Sequence, residues 1–187
     1  MATACLKNKK KLPVRLMFQD EARFGRLSDP RTCWAPAPTR PMVGLALIRE
    51  FRYEYVAVSP WDGTLDYMTA EKMNSQNMNC FLKQLHKSHK HNFIVMVLDG
   101  APWHKGKDIK LPRNMAFVHL PPYSPELNPA EQIWNVLRRD YFANRVFNSL
   151  DAATAQAESG LKSMADNKLA IKSLTNWYWI NDILNAT

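Results

Sequence analysis

Short apolar runs, separated by polar and proline-rich stretches, predict a protein of alternating strands and helices. The run VRLMF (14–18) predicts a buried strand that ends at Gln19, and FIVMVL (93–98) is a continuous apolar run typical of a fully buried central strand. Shorter runs predict further strands at 32–35, 42–48, 53–59 and 116–120. The string WDGT (61–64) predicts a turn.

Helical spacing appears between and after these strands. Apolar residues recur at helical intervals within 76–90, and residues 150–173 predict a second amphipathic helix or a pair of helices. The stretch PPYSPELNP (121–129) predicts an extended connector, because prolines disfavour helix and sheet interiors. A helix start follows it, with Asn128 as the N-cap and Glu131 in the first turn. This order predicts an α/β fold of packed layers.

Composition narrows the class of protein. The chain has 187 residues, the length of one domain, and its 46% hydrophobic and 22% charged residues argue against disorder. The formal net charge of +8 indicates an anionic partner, either nucleic acid or an acidic membrane surface.

Several classes are disfavoured. No apolar stretch approaches the length of a membrane-spanning helix, and the start MATACLKNKKK lacks the apolar core of a secretory signal. The three cysteines, Cys5, Cys33 and Cys80, are widely spaced and odd in number, which favours a reducing cytoplasm. No glycine-rich nucleotide-binding string or serine-hydrolase elbow is present.

The positive charge is concentrated near the start. Residues 1–15 carry four lysines and one arginine and no acid, a local charge of +5. Two interpretations stay open with equal weight: a frayed, solvated terminus, or a contact with DNA.

Three carboxylates stand where predicted elements end or begin. Asp20 and Asp99 follow predicted strands, and Glu131 lies in the first turn of the predicted helix. If they converge, they suit Mg²⁺, and two such ions could drive phosphodiester chemistry. The alternatives are a strand terminus for Asp20, a strand-to-turn junction for Asp99, and a capping box of Glu131 with Asn128.

Three blocks that contain these acids resemble the signature blocks of DDE transposases. The blocks are FQDEARFG (18–25), VLDGAPWHKG (97–106) and LPPYSPELNPAEQIWNVLRR (120–139). The resemblance is closest to the bacterial insertion-sequence branch of the mariner-like superfamily, and CWAPA (33–37) and YVAVSPWDG (55–63) also fit it. It covers most of residues 14–150.

This resemblance implies an RNase H-like α/β fold, with a mixed central sheet flanked by helices. It implies that Asp20, Asp99 and Glu131 are catalytic and bind a pair of metal ions. These ions would be Mg²⁺, which Mn²⁺ could replace. It favours Glu131 over Glu126, because the family's acid follows the Asn-Pro pair. The implied activity is DNA cleavage and strand transfer at transposon ends, on terminal inverted repeats and target DNA, with self-association on DNA. The implied location is the bacterial cytoplasm, in association with the nucleoid.

The chain departs from the family in two respects. The 31 residues between Asp99 and Glu131 are a few fewer than is typical. The family's N-terminal helix-turn-helix domains are missing, so we expect a basic tail (1–13) and a catalytic domain (14–187), with a separate helix-turn-helix partner frame as one possibility. The alternatives are an inactive or repurposed fragment that binds DNA without cleavage, and another RNase H-like nuclease.

Four further residues are weaker candidates for DNA or site support: His104, Lys105, Arg138 and Arg139. A loop histidine and a solvated helix face are the competing interpretations. Trp134 is expected to pack in the core, and the aromatic stretch 177–179 to close the C-terminal end as a hydrophobic plug rather than stack on bases. His86, His89 and His91 fit no common zinc motif.

Overall fold

Five strands form one mixed sheet with helices on both faces. The computed structural model describes residues 2–185, with side chains described for 3–104 and 106–182. The strands are β1 (Val14–Leu27), β2 (Leu47–Ser59), β3 (Thr64–Ala70), β4 (Phe93–Leu98) and β5 (Met115–His119). The helices are α1 (Ala2–Cys5), α2 (Ser75–Ser88), α3 (Pro102–Lys105), α4 (Glu131–Val136), α5 (Leu150–Asp166), α6 (Lys168–Thr175) and α7 (Tyr178–Asn185).

The strand order is β3-β2-β1-β4-β5, with the long strand β1 at the centre. β1 and β2 pair antiparallel, as do β2 and β3, whereas β4 runs parallel to both β1 and β5. The parallel pairing of β1 with β4 ends at Phe18 and Val97. Beyond that point β1 continues with β2 alone, so its side toward β4 opens just before Asp20.

Two hydrophobic layers cover the sheet, because successive side chains of a strand point to opposite faces. On one face Met17, Ile94 and Met96 pack against the buried residues of α2. On the other, Leu16 and Phe18 pack against the helices from α4 to α6. The strand β4 is fully buried, as its uninterrupted apolar sequence requires.

Local capping explains where the main helices begin. The side chain of Asn74 accepts from the backbone N–H of Asn77 and starts α2, and Ser149 does the same for Ala152 at the start of α5. Asn167 separates α5 from α6, since it ends one helix and its side chain caps the next. Residues 150–173 therefore contain a pair of helices, one of the two predicted outcomes.

The confirmed elements are those with the strongest apolar signal. The strand 93–98 and the helix within 76–90 are confirmed as β4 and α2. The turn at 61–64 is also confirmed, and its Gly63 has φ +69°, a conformation that side chains with a Cβ rarely adopt.

The strands predicted at 14–18 and 116–120 are also confirmed, within β1 and as β5, whereas other strand predictions were wrong. Residues 32–35 form no strand, and the runs 42–48 and 53–59 are not two strands, because β2 runs unbroken over Leu47–Ser59. β3 was not predicted, and β1 extends nine residues past the apolar run that ends at Phe18. β1 continues because β2 pairs with it as far as Leu27, with a bulge at Gly25 where a Cβ would collide with the carbonyl oxygen of Glu50.

The segment before β1 packs against the domain. Ala4 is buried in the larger hydrophobic layer, and Asn8 and Leu12 exchange two hydrogen bonds of 2.7 and 3.0 Å. The boundary at residue 13 stays a prediction. Among the described residues, no helix has both the length and the apolarity needed to cross a membrane.

Candidate active site

Strand β1 presents neighbouring acids to opposite faces of the sheet. Asp20 shares the face of Leu16 and Phe18, which is covered by α4 and α5, and Glu21 shares the face of Met17. Only Asp20 can therefore meet groups on α4, although the two acids are adjacent in sequence.

Asp20 is held by two hydrogen bonds in a largely buried position. Its Oδ2 accepts from Trp134 Nε1 at 3.0 Å, and its Oδ1 accepts from the backbone N–H of Glu21 at 2.9 Å. The pKa of Asp20 is raised to about 7, chiefly by burial and next by the negative charge of Glu131; the Trp134 bond opposes the shift. Trp134 packs in the core as expected, and it also orients this carboxylate.

Glu131 is the first residue of α4 and is half-buried. Burial raises the pKa of Glu131; the cation Arg138 opposes this shift, and the charge of Asp99 adds to it. The charge of Glu131 therefore acts on Asp20, and the charge of Asp99 acts on Glu131.

The turn before α4 differs from the expected helix start. Asn128 is not the N-cap, because α4 begins at Glu131 and no side chain caps it. Instead Asn128 Oδ1 accepts from the backbone N–H of Ala130, and its Nδ2 donates to the carbonyl oxygen of Gln19. Asn128 thus ties the start of α4 to β1 one residue before Asp20, and the capping box with Glu131 does not form.

Asp99 lies just after β4, and its side chain is 57% exposed. Its Oδ1 is 2.8 Å from His104 Nδ1 and accepts from the backbone N–H of Ala101 at 3.0 Å. His104, in α3, is buried and places its other ring nitrogen, Nε2, 2.9 Å from Glu21 Oε1. Burial alone would lower the pKa of His104, but the hydrogen bond to Glu21 and the charges of Glu21 and Asp99 outweigh it and raise this pKa.

Two residues of this arrangement were not singled out from the sequence. Glu21 joins β1 to α3 through His104, and Trp103 Nε1 also donates to Glu21 Oε1, at 3.3 Å. Because Glu21 is next to Asp20 and strands alternate, its sequence position already indicated an acid on the opposite face.

The remaining predicted support residues differ in their surroundings. Arg138 lies over the ring of Phe24, 5.3 Å from its centroid, and interacts electrostatically with Glu131. Arg139 is exposed and paired with Asp140. The side chain of Lys105 lies outside the described residues. Their roles in DNA contact stay predictions.

The side-chain positions bear on metal binding in two ways. Among the described side chains, no group of three or more His, Cys, Asp or Glu residues is arranged to hold a metal ion. The donor chemistry of Asp20 and Glu131 nevertheless suits a hard divalent cation, since both supply carboxylate oxygens and their mutual repulsion is one that a cation relieves. In donor chemistry, these residues fit such an ion.

The family model described as DDE superfamily endonuclease matches residues 15–154 of the 187. The chain belongs to this family. The five-stranded mixed sheet with flanking helices confirms the RNase H-like fold that the family resemblance implied.

One curated protein is similar to part of this chain. An uncharacterized protein, y4pE/y4sA, of Sinorhizobium fredii (strain NBRC 101917 / NGR234) is 34% identical over 85 residues, which cover 46% of this chain and 63% of that protein.

Solved structures of Mos1 transposase share the fold. Its paired-end complex with the left transposon end has a TM-score of 0.56 at 14% identity, and covers 92% of this chain and 58% of that chain. Its paired-end complex with Mg has a TM-score of 0.52 at 15% identity, with coverages of 88% and 56%. This DDE endonuclease domain therefore spans under two thirds of these relatives and has the fold of a transposase.

Proposed function

We propose that the chain is the catalytic domain of a transposase that cuts DNA at transposon ends and joins the cut end to target DNA. Asp20, Asp99 and Glu131 would be its catalytic acids. The observation that carries the proposal is the joint position of Asp20 and Glu131. Asp20 is hydrogen-bonded to Trp134 of α4, and Glu131 begins that helix, within electrostatic reach of both other acids.

The three acids would hold divalent ions, with Mg²⁺ as the physiological ion and Mn²⁺ as a substitute. A pair of such ions supplies charge neutralisation at the phosphodiester and activates the attacking oxygen. One of the Mos1 paired-end complexes was solved with Mg, which supports the same ion for this fold. Among the described residues, the Asp99 carboxylate contacts His104 and the backbone N–H of Ala101 through Oδ1, which would leave Oδ2 of this exposed side chain for an ion.

The chain's own residues would prepare the site before any ion binds. Trp134 and the Glu21 backbone N–H fix both oxygens of Asp20, so its carboxylate is already oriented. His104 would act as a positioning residue for Asp99, since both of its ring nitrogens already face carboxylates and neither is free for a phosphate. Arg138, near Glu131, would contact the DNA backbone beside the acids.

Double-stranded DNA is the proposed substrate, as terminal inverted repeats and as target. We expect copies of the protein to associate on this DNA, with end recognition supplied by a helix-turn-helix unit on a partner chain. Its place of action would be the bacterial nucleoid. The net charge of +8 supports a polyanionic substrate.

The test is metal-dependent nicking of duplex DNA by wild type and by Asp99→Asn. Asp166→Asn is the matched control, because it makes the same chemical change at an exposed surface ion pair. We expect nicking with Mg²⁺ or Mn²⁺ by wild type and by Asp166→Asn, and a loss of at least about 100-fold in Asp99→Asn. Equal nicking by all three proteins would overturn the assignment. RNA–DNA hybrid and branched substrates in the same assay separate a transposase from other RNase H-like nucleases.

One observation favours a second candidate, a domain that binds DNA without cutting it. Among the described side chains, the acids are not gathered into a metal-binding group. Under this alternative wild type would bind duplex DNA with a steep salt dependence and yield no product with either metal. Titration of the protein with Mn²⁺, followed by electron paramagnetic resonance, distinguishes the two, because only the first predicts ion binding that Asp99→Asn weakens.

A further inference from the structure

We propose that the protein carries a second site for the DNA backbone, a basic bowl at the amino-terminal end of β4. The bowl is a concavity of about 950 Å³. Five cationic side chains line it: Lys7, Lys9, Lys10, Lys90 and Arg113. Among the described side chains, no acidic residue lines it, and its floor includes Phe93 and Asn114.

The lysine-rich segment is folded onto the domain. Asn8 Nδ2 donates to the carbonyl oxygen of Leu12 at 2.7 Å, and Asn8 Oδ1 accepts from the Leu12 N–H at 3.0 Å. The carbonyl oxygen of Pro13 accepts from the N–H of Phe93, the first residue of β4. These bonds shape a turn, and Lys7, Lys9 and Lys10 in this turn line the same concavity.

The opposite wall of the bowl is equally fixed. Asn114 is buried; its Nδ2 donates to the carbonyl oxygens of His89 and Asn92, and its Oδ1 lies 2.6 Å from His86 Nδ1. This network joins the end of α2 to the residue before β5. Lys90 and Arg113 flank it, so their positions follow from bonded backbone rather than from a free loop.

The cations of the bowl have no internal counter-charge. Among the described side chains, none of the five forms an ion pair with an acid, although arginines elsewhere in the domain do. Gathering like charges in one concavity disfavours the folded state unless an anion neutralises them. Several cations around one concavity match the closely spaced phosphates of a nucleic acid backbone.

The bowl is separate from the candidate active site. β4 has six residues, so its two ends are about 17 Å apart, with the bowl at Phe93 and Asp99 just beyond the other end. DNA at the acids would leave the bowl open for another stretch of backbone. The choice of duplex DNA over other polyanions rests on the proposed function; the existence of an anion site does not.

The experiment compares two double variants of the full chain with equal loss of charge. Lys9→Gln with Lys10→Gln removes two cations from the bowl, and Lys162→Gln with Lys168→Gln removes two exposed cations from α5 and α6. Fluorescence anisotropy with a labelled duplex of about 30 base pairs is measured in EDTA from about 50 to 200 mM salt. Each phosphate contact contributes about 0.9 to the slope of log affinity against log salt. We therefore expect the bowl variant to bind about tenfold more weakly near 0.1 M salt, with a slope reduced by about 2.

The control double variant is expected to stay within about twofold of wild type, and Lys9→Arg with Lys10→Arg to restore binding. Equal weakening of both glutamine variants would overturn the proposal, because charge alone would then explain it. So would a bowl variant that binds DNA normally and loses only its affinity for vesicles of anionic lipid. Because EDTA excludes cleavage, an inactive wild type would overturn the proposed function without affecting this result.

Discussion

The two ends of strand β4 carry opposite charge in opposite settings. At the carboxyl end, Asp20 is largely buried, and hydrogen bonds from an indole and a backbone amide fix it. At the amino end, the lysines of the bowl are exposed and free of ion pairs with the described acids. Both ends hold like charges together, and each would be relieved by a ligand of the other sign.

The difference lies in what each ligand requires. A metal ion needs its oxygen ligands positioned to within a few tenths of an ångström, and the two hydrogen bonds to Asp20 would hold its carboxylate with that precision. A DNA backbone needs only cations within reach of its phosphates, which flexible lysines on a fixed turn would provide. The hydrogen-bonded support of Asp20 at one end and the exposed lysines at the other are consistent with these two demands.

The largest test of this contrast is Asp20→Asn. The amide oxygen can still accept from Trp134, but the amide NH2 then lies beside the Glu21 N–H, so one hydrogen bond is lost. We expect the fold to survive, with metal-free stability at pH 8 about equal to that of wild type, because removal of a buried charge near Glu131 offsets this loss. Cleavage should fall at least about 1,000-fold. Thermal unfolding in EDTA and nicking in Mn²⁺ measure the two effects. A variant that unfolds would show that the buried carboxylate supports the structure instead.

Glu54 tests how much stability is lost when an acid is buried away from both ends of β4. It is fully buried on β2, with Oε2 bonded to Thr69 and Oε1 unbonded. Its pKa is raised from 4.5 to about 7, chiefly by burial. The hydrogen bond from Thr69 opposes this rise, and the negative charge of Glu158 adds to it. The folded state therefore holds this proton more tightly than the unfolded chain, and stability falls as pH rises from about 4.5 to 7.

Glu54→Gln should remove that fall. At pH 8 the variant is expected to be more stable than wild type by about 3 kcal/mol, and at about pH 4.5 by almost nothing. Urea unfolding at both pH values is the measurement. A variant that is less stable than wild type at pH 8 would mean that the ionised carboxylate is solvated in the folded protein.

Trp134→Phe separates orientation from packing at the acid end. Phenylalanine keeps the aromatic contact with Phe24 but cannot donate to Asp20. We expect about tenfold slower nicking and a stability loss of about 1–2 kcal/mol from the lost bond and smaller ring. Trp61→Phe, at a partly exposed position, is the control and should leave nicking unchanged.

The smallest expected effect is at the basic end, from Asn8→Ala. It removes both bonds to Leu12 without changing any charge. Loosening the turn should weaken duplex binding about threefold and lower stability by about 1 kcal/mol or less. Unchanged anisotropy together with lowered stability would show that the lysines bind without the fixed turn.

Strong local signals in the sequence identified the centre of the fold and not its edges. β4 was predicted at its correct bounds because six apolar residues in succession suit a strand buried on both faces. The extension of β1 past Phe18 was not predicted, because Gln19, Asp20 and Glu21 are polar and only the pairing with β2 keeps them in a strand. β3 is mostly half-buried, so its apolar signal is weak.

For the candidate site, the sequence supplied the acids through their family resemblance and left their surroundings open. The Trp134–Asp20 bond depends on how α4 packs on β1, which no spacing rule specifies. The link from Glu21 through His104 to Asp99 requires the positions of α3 and β1 together. Contacts between distant segments are the part that only the folded chain contains.

The central position of β1 affects when the acids can meet during synthesis. Its partners β2 and β4 and the helix α4 all follow it in the chain, and Glu131 is 111 residues after Asp20. At usual rates of translation, Glu131 is made roughly 5–20 s after Asp20. A nascent chain therefore carries β1 without the rest of the site, and a DNA-cutting activity built on these acids cannot begin before most of the protein has left the ribosome.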